Sequence, residues 1–248
     1  MSSSVVLPSE FKIENVSFNP PKKNNQGGQS VLVSYYNEIT GRNGPLLLQT
    51  PRCRMPFGSD ISDGDKKTRK YSVNISLALS DSENENLVKF TEILTAIDTK
   101  AKLYSRGEGA TAWFGKVHSE DMINELYKSG IKKSKNDKYA DTLKVKLPVR
   151  ISGEKLTPQF DIYNDKKTLQ VLVNDDSTEI NLDCFAKGGE YTGIIQCTGV
   201  WFVGSTSFGV GYKTVQAKIS GPSKLVGYQI VDEEELVEEE EEEDDTVG

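Results

Sequence analysis

The sequence contains only one histidine, His118, and three cysteines, Cys53, Cys184 and Cys197. A lone imidazole, with no Gly-x-Ser-x-Gly or His-Glu-x-x-His motif in the chain, argues against a catalytic triad and against a zinc site. The cysteines are odd in number and widely spaced, and none belongs to a Cys-x-x-Cys pair, which argues against a disulfide framework. We therefore expect buried, reduced thiols and a surface or helix-capping position for the histidine.

Long hydrophobic runs are also absent. The longest apolar stretches, such as Gly-Val-Trp-Phe-Val-Gly from Gly199, fall far short of the roughly 20 residues that a membrane-spanning helix needs. Residues 1–11 lack the basic region and the long apolar stretch of a secretory signal. We therefore expect an intracellular protein that has no membrane partner.

Motifs that carry catalytic chemistry are missing as well. The glycines from Gly204 have the Gly-xxxx-Gly spacing of a phosphate-binding loop, but Val210 and Gly211 stand where Lys and Ser or Thr are required. A turn between two strands is predicted there instead. The stretch Asp-Ile-Ser-Asp-Gly-Asp from Asp60 lacks the ligand order and the distal Glu of a calcium loop, so a polar turn is predicted. The sequence thus predicts no enzyme, no cofactor and no metal site, and a metal-dependent nuclease ranks third among the alternatives.

Acidic residues are concentrated at the C-terminal end. Twelve of the 37 acidic residues are Asp232, Glu233, Glu234, Glu235, Glu238, Glu239, Glu240, Glu241, Glu242, Glu243, Asp244 and Asp245. Without them, 25 acidic residues stand against 30 Lys and Arg, so the body is basic although the whole chain has a net charge of −7. Dense like charge predicts a disordered acidic tail over 232–248, attached to one domain over 1–231 that begins with an irregular arm over 1–30.

The body has the period-two pattern of a mainly β protein. Residues 70–79 alternate most clearly, and the apolar face of that strand is predicted to carry Tyr71, Val73, Ile75, Leu77 and Leu79. Further strands are predicted at 31–36, 46–49, 142–149, 168–174, 179–185, 191–204 and 208–220. Clusters of Gly, Asp and Asn separate these segments, as in a compact β fold.

One long and one short helix interrupt the strands. Apolar residues recur at gaps of three and four across 87–104, and Ser82-x-x-Glu85 forms a capping box, so an amphipathic helix is predicted over 83–104. A shorter helix is predicted from Ser119, as N-cap, to a stop at Gly130. Its inward residues are predicted as Met122, Leu126 and Ile123.

Lysines and arginines are concentrated in two parts of the body. Residues 128–150 contain eight basic residues against two acidic ones. In the strand from 142, Lys144, Lys146 and Arg150 are predicted to share the outer face, with a two-residue repeat of about 7 Å that matches the scale of successive phosphates on a single strand. The second group is Arg52, Arg54, Lys66, Lys67, Arg69 and Lys70. The alternative is that lysines merely solvate a strand and deter edge pairing.

Aromatic residues are interleaved with these basic ones. Stacking of one unpaired base on a ring contributes on the order of 1–3 kcal/mol whatever the base. Trp113 and Phe114, at an apparent loop after the long helix, are predicted as the most exposed rings. The other aromatic residues near predicted strands are Tyr35, Tyr36, Phe57, Tyr71, Trp201, Phe208 and Tyr212. Any one of them alone is more often a core residue, but rings beside cations favour a preference for single strands without sequence readout.

Four stretches resemble one family of viral proteins. They are LLLQTPRCRMPFG from Leu46, AWFGK from Ala112, LKVKLP from Leu143 and IIQCTGVWFVGSTSFGVGYKTVQAKI from Ile194. In this order they resemble the single-stranded-DNA-binding proteins of nucleo-cytoplasmic large DNA viruses, and more remotely the acidic-tailed single-strand binder of short-tailed coliphages. The likeness runs from about residue 46 to residue 230 and is most specific around Trp201.

The resemblance implies an OB-like fold, a five-stranded barrel elaborated by extra strands and helices, whose groove takes DNA without sequence preference. It also implies a role in viral DNA replication, recombination and repair, a location in the host nucleus or a viral replication compartment, and a homodimer or higher oligomer. The residues assigned to DNA binding on this basis are Arg52, Arg54, Phe57, Lys70, Tyr71, Trp113, Phe114, Lys116, Lys144, Lys146, Arg150, Trp201, Phe208, Tyr212 and Lys213.

The sequence therefore predicts a non-enzymatic single-stranded-DNA-binding protein. Its acidic tail is expected to occupy the basic groove when nucleic acid is absent, and to offer a negative handle to replication and recombination proteins. A tail that only maintains solubility is one alternative. The rival function is an acidic histone chaperone or similar interaction protein, in which the tail itself binds basic partners.

Overall fold

A computed structural model describes residues 4–23, 28–62, 69–78, 85–136 and 138–222 of the chain. The acidic residues from Asp232 onward and the predicted capping residue Ser82 lie outside these ranges.

Seventeen strands, three α-helices and one short 3-10 helix occur in this part of the chain. The strands are β1 (Val5–Val6), β2 (Val16–Phe18), β3 (Lys22–Lys23), β4 (Gln29–Val31), β5 (Val33–Asn37), β6 (Arg42–Pro45), β7 (Leu47–Gln49), β8 (Cys53–Arg54), β9 (Ser59–Ile61), β10 (Tyr71–Ser76), β11 (Ile131–Lys132), β12 (Thr142–Leu147), β13 (Val149–Ser152), β14 (Lys155–Pro158), β15 (Asp161–Tyr163), β16 (Glu190–Val203) and β17 (Ser207–Ser220). The helices are α1 (Glu85–Arg106), α2 (Ala110–Phe114) and α3 (Glu120–Leu126), and the 3-10 helix is Ile13–Asn15.

The long antiparallel hairpin of β16 and β17 lies at the centre of a twelve-stranded sheet. The strand order along its main path is β1-β7-β16-β17-β12-β10-β9, with β3, β4, β8, β11 and β15 paired beside this path. Two smaller sheets consist of β13-β14 and β2-β5-β6. The sheets do not close on themselves, and the mainly β architecture is an elaborated OB-like fold, as predicted.

In β12 buried and exposed side chains alternate as the sequence predicted, whereas in β10 Ser72 and Asn74 on the outer side are buried as well. The buried pairs across these antiparallel strands are Tyr71–Leu147, Val73–Val145 and Ile75–Leu143. Lys144 and Lys146 project from the opposite face and are exposed. A one-residue slip would bring the buried set into water, and full burial of each Val, Leu or Ile side chain is worth about 1.5–3 kcal/mol. The hydrophobic residues therefore determine which face the lysines occupy.

Helix α1 buries a stripe of apolar side chains and packs against β17. The stripe follows the predicted gaps of three and four, and its members include Leu87, Phe90, Leu94, Ile97 and Ala101. The helix ends at Arg106, two residues later than predicted. The periodic pattern thus identified both the helix and its buried face.

The short helix α2 was not predicted. Its Trp113 is 5% exposed and packs edge-to-face against Phe202, at 5.7 Å between ring centroids, and against Phe208, at 6.3 Å. Gly115 ends the helix with a φ of 72°. The predicted exposure of Trp113 is wrong, because one further helical turn after α1 presses the indole against the β16–β17 hairpin.

Helix α3 begins at the predicted cap. The Ser119 side chain accepts a hydrogen bond from the Met122 backbone N–H at 3.3 Å. Ile123 is buried and Leu126 is partly buried, as predicted, but Met122 is 41% exposed and its predicted inward position is wrong. The helix ends at Leu126, before the predicted stop at Gly130.

A buried carboxyl group joins α1 to the segment after α3. Asp98 accepts hydrogen bonds from the Tyr127 hydroxyl at 2.6 Å and from the Ser129 hydroxyl at 2.5 Å. Burial raises the pKa of Asp98, against the lowering effect of these two hydrogen bonds. In the same segment, the Lys128 backbone N–H donates to the Phe208 carbonyl at 2.7 Å. Helix and hairpin are therefore connected through one short stretch of chain.

Some predicted strands are shorter or missing. Residues 168–174 and 179–185 form isolated bridges, because turns at 164–167 and 174–177 leave few residues for pairing. Val171, expected in a strand, is 84% exposed. In the described part of residues 1–30, three short strands and the 3-10 helix replace the predicted irregular arm, and β4 begins at Gln29.

The rare side chains occupy structural positions. The three cysteines are free, and burial raises the pKa of both Cys53 and Cys197 to about 12, so these thiols are protonated. Cys184 is only partly buried. His118 packs edge-to-face against Phe114 at 5.2 Å. None of the helices that the structure describes is long and apolar enough to cross a membrane.

Candidate nucleic-acid interface

One outer face of the main sheet gathers basic residues from neighbouring strands. Lys146 of β12 lies opposite Ser72 of β10 and beside Lys213 of β17. Lys213 is paired in turn with Gln196 of β16. Residues paired directly across strands point to the same side of a sheet. Lys146, Lys213 and Gln196 therefore form one row across three strands.

Trp201 lies on the same face, near the tip of the β16–β17 hairpin. It is paired with Gly209, and Gly211 follows two residues later on the same strand. A Cβ atom on Gly209 would lie 2.9 Å from Trp201 Cζ2, and one on Gly211 would lie 3.5 Å from Trp201 Cδ1. The partly exposed indole therefore lies beside two glycines, where an added Cβ would also meet the Lys128 carbonyl and the Thr198 hydroxyl.

Lys146 approaches the indole above the second of these glycines. A Cβ atom on Gly211 would lie 3.9 Å from Lys146 Nζ. The lysine side chain as a whole is exposed, yet the protein atoms around its ammonium group desolvate it and lower its pKa. The charges of Lys70 and Lys144 lower the pKa further. A phosphate bound here would offset both effects, because it supplies the opposite charge.

Lys144 forms the one described ion pair on this surface. Its Nζ atom lies 3.0 Å from Asp60 Oδ2, and both side chains are about half exposed. The hydrogen bond from Lys144 lowers the pKa of Asp60, and the nearby charge of Lys132 adds to this. Exposed pairs of this kind contribute about 0–1 kcal/mol. A phosphate can therefore compete with Asp60 for the lysine at little cost.

We name this surface the Trp201 face, and it consists of Trp201, Lys70, Lys144, Lys146 and Lys213. The sequence assigned all five to DNA binding, and the structure brings them together. Within the described part of the chain, Lys146 and Lys213 form no ion pair with a carboxylate. The face thus combines cations with one accessible aromatic ring.

Four rings assigned to DNA binding lie inside the protein instead. Tyr71, Trp113, Phe208 and Tyr212 are at most 5% exposed. Phe114 is partly buried and packs against Phe208 at 5.2 Å. A base cannot stack on a ring that has no accessible face, so the stacking role predicted for these four residues is wrong. The inner side of the hairpin is covered by helices, and its rings therefore form core.

Two basic residues do not belong to the Trp201 face. Pro148 separates β12 from β13 because it has no backbone N–H to continue the ladder. Arg150 consequently lies in the separate β13–β14 hairpin, and the prediction that it continues the row of Lys146 is wrong. Lys116 is exposed, but it follows Phe114, which packs on the inner side of the hairpin.

Three further candidates lie at the opposite end of the hairpin. Arg54 is paired with Glu190 at the start of β16, so both face outward. The Arg52 guanidinium donates to the same Glu190 carboxylate, with 2.6 Å from Nε to Oε2. Phe57 is 67% exposed. This end is therefore also cationic on the outer side, although Glu190 offsets part of its charge.

A groove lies on the outer face of the hairpin between the Trp201 face and Arg54. Its volume is about 450 Å³. We name it the Tyr163 groove, and its main side chains are Gln49, Tyr163, Lys167, Thr192, Gln216 and Lys218. None of these residues was predicted from the sequence. The alternation of Lys218 with buried Ala217 and Ile219 was the available signal, but only the pairing of β15 with β17 brings Tyr163 beside it.

The fold and the surface together define a class of protein: an OB-like β protein whose outer face is basic and bears a tryptophan. The chain belongs to DUF5871, a family of unknown function, whose sequence profile matches residues 73–232. The matched range includes most of the Trp201 face, with Lys144, Lys146, Trp201 and Lys213. A comparison with curated proteins finds no match to this sequence.

Solved structures with a similar chain path come from bacteriophages. The single-stranded DNA binding protein gp2.5 of bacteriophage T7 aligns with a TM-score of 0.47 and 9% identity, over 79% of this chain and 95% of the phage chain. The single-stranded DNA-binding protein of bacteriophage Enc34 aligns with a TM-score of 0.37 and 12% identity, over 89% and 99% of the two chains. Its complex with single-stranded DNA aligns with a TM-score of 0.40 and 14% identity, over 85% and 99%.

Proposed function

We propose that this protein binds single-stranded DNA on the Trp201 face without reading its sequence. The observation that carries the proposal is the convergence of the partly exposed Trp201 indole and the Lys146 ammonium above Gly211. Lys213 extends the row of cations on one side, and Lys144 and Lys70 extend it on the other. A nucleotide needs both elements together, a ring for its base and a cation for its phosphate.

The two interactions have different consequences for selectivity. Attraction between lysines and phosphates is screened by salt and acts on any nucleic acid. Stacking contributes about 1–3 kcal/mol per base and requires a base whose flat face is accessible. A duplex hides its base faces, so the indole favours single strands. Every base has such a face, and the binding is therefore independent of sequence.

We also propose a biological role for this binding. The sequence resemblance supports work in viral DNA replication, recombination and repair, where exposed single strands must be covered. The protein would act there by binding alone, without turnover of the DNA. This role requires the basic body, and the rival histone-chaperone function requires only the acidic tail.

The proposed stacking on Trp201 predicts a preference for single-stranded over duplex DNA. We expect the full-length protein to bind oligo-dT at least about tenfold more tightly than a duplex of the same length at moderate salt, because stacking is available only to the single strand. Titration of fluorescently labelled oligonucleotides measures both affinities. A mixed-sequence single strand serves as the control for sequence independence.

Retention on two affinity resins distinguishes single-stranded-DNA binding from the rival histone-chaperone function. Salt-resistant retention on single-stranded-DNA resin, with early elution from histone resin, supports the proposal. Equal affinity for single strand and duplex, or stronger retention on histones, contradicts it and favours the chaperone.

The proposal extends to the acidic tail. Its twelve carboxylates are tethered to a body that carries 30 Lys and Arg against 25 other acidic residues. A tether of this length maintains a roughly millimolar effective concentration of carboxylates near the Trp201 face. The tail then competes with phosphates for the lysines and, once displaced, is available to basic surfaces of replication and recombination proteins.

Removal of residues 232–248 is expected to tighten oligo-dT binding at low salt, because the competing carboxylates are gone. The difference should shrink at high salt, where both sets of charges are screened. Capture of replication proteins should weaken in parallel. The matched control has the full length, with the twelve acidic residues replaced by Asn and Gln, and it should behave like the truncated protein. Equal affinity of full-length and truncated protein at low salt would remove the competing role.

A further inference from the structure

The Tyr163 groove continues the Trp201 face along the β16–β17 hairpin. In order along the outer face, the cross-strand pairs are Gln196–Lys213, Ile194–Gln216 and Thr192–Lys218. Four residues along a strand span about 13 Å, which corresponds to about two phosphate spacings of ~7 Å. A strand bound on the Trp201 face therefore reaches the groove within about two nucleotides.

The groove presents the same types of group as the Trp201 face. Tyr163 of β15 is partly exposed and lies beside Lys218 in the parallel register of β15 and β17. Lys167 and Lys218 are exposed at its rim. The amides of Gln49 and Gln216 each offer donors and an acceptor, so they can meet the edge of any base. The groove thus contains a ring, two cations and adaptable hydrogen-bonding groups.

A hydrogen-bonded turn over residues 164–168 holds Lys167 at the rim of the groove. Lys167 has a φ of 58°, which is uncommon for a residue other than glycine. Its backbone N–H donates to the Asn164 carbonyl at 2.9 Å, and the Thr168 N–H donates to the Asn164 side chain at 2.9 Å. The Ser220 hydroxyl donates to Asp165 Oδ1 at 2.5 Å and so fixes the turn to the end of β17. The lysine therefore starts from a defined backbone position.

Acidic residues beside the groove oppose a phosphate. Asp161 is exposed and lies beside Gln216, on the same side of the sheet. Asp165 lies in the turn of Lys167 and accepts a hydrogen bond from Ser220, and Glu190 lies beyond the groove, where Arg52 and Arg54 offset its charge. Among the described residues, the groove lining itself contains Lys167 and Lys218 and no carboxylate, so the lining favours an anion.

We infer that the Tyr163 groove is a second nucleotide subsite on the same bound strand, with one base against Tyr163 and its flanking phosphates on Lys167 and Lys218. This inference rests on the proposed function, because the strand enters from the Trp201 face. It predicts a footprint longer than the Trp201 face alone, which lies within the roughly 4–16 nucleotides that OB folds cover.

The test compares two oligonucleotides on the full-length protein: oligo-dT of about 3 nucleotides, which the Trp201 face alone can hold, and oligo-dT of about 12 nucleotides, which also reaches the Tyr163 groove. The variant Tyr163→Ala, Lys167→Asn, Lys218→Gln removes the ring and both charges, and Asn tolerates the positive φ at position 167. We expect it to bind the short oligonucleotide within about twofold of the wild type and the long one at least about tenfold more weakly. The wild type should gain affinity from the short to the long oligonucleotide.

The matched control is Tyr36→Ala, Lys89→Gln, Lys155→Gln, which likewise removes one ring and two positive charges, at exposed positions outside the groove. It should bind both oligonucleotides like the wild type. An unchanged affinity of the groove variant for the long oligonucleotide, or an equal loss in the control variant, would overturn the second subsite alone. Failure of the wild type to bind either oligonucleotide would instead overturn the proposed function.

Discussion

Replacement of Trp201 by alanine is expected to weaken oligo-dT binding roughly 5- to 150-fold, the equivalent of one stacked base at about 1–3 kcal/mol. Alanine removes the only tryptophan ring on the outer face, since the other tryptophan, Trp113, is 5% exposed. The lysines of the Trp201 face remain, so binding at low salt should persist with a reduced preference for single strands. Anisotropy of a labelled oligonucleotide measures the loss.

Two variants serve as controls for this result. Trp201→Phe retains a flat ring and should keep most of the affinity, which ties the loss to stacking. Tyr36→Ala removes an exposed ring on β5, in another sheet, and should bind normally. Wild-type affinity in Trp201→Ala would contradict the assignment of base stacking to this residue.

The double variant Lys146→Gln, Lys213→Gln is expected to reduce the salt dependence of binding. Each phosphate contact on single-stranded DNA contributes about 0.7 to the slope of log K against log salt, so the slope should become shallower by roughly 1.4. Affinity at low salt should fall with it, because these two adjacent cations have no carboxylate partner in the described part of the chain. Titrations across several salt concentrations measure both quantities.

The matched control for charge is Lys89→Gln, Lys155→Gln. Lys89 lies on helix α1 and Lys155 on the separate β13–β14 hairpin, and both are exposed. The control should keep the wild-type slope, because long-range charge alone is screened at moderate salt. An equal change in slope in the two variants would show that phosphates do not contact Lys146 and Lys213 specifically.

Local patterns in the sequence were sufficient to predict a strand or helix and its buried face where a single periodicity determined that element. In β12 the strict alternation of Leu143, Val145 and Leu147 placed Lys144 and Lys146 outward, and the structure has them there. The 3.6-residue pattern likewise identified α1 and its buried face. The lysines of the Trp201 face were therefore predictable, since each depends only on its nearest neighbours along the chain.

Positions that depend on how strands pair with one another were not predictable from local patterns. Trp201 and Phe202 are adjacent aromatic residues near the hairpin tip, yet one lies on the outer face and the other packs against Trp113 in the interior. Only the register of β16 with β17, including its bulges, decides between them. The Tyr163 groove depends in the same way on the pairing of β15 with β17, which no local pattern encodes.

The measurement that tests the central claim most directly is quenching of tryptophan fluorescence by oligo-dT, because the chain has two tryptophans on opposite sides of the hairpin. In Trp113→Phe the remaining Trp201 reports, and we expect strong, saturable quenching at the same oligonucleotide concentrations as binding. In Trp201→Phe the buried Trp113 reports, and we expect little change although the DNA still binds. Quenching that survives in Trp201→Phe and disappears in Trp113→Phe would contradict the account and place the DNA on the helical side of the sheet.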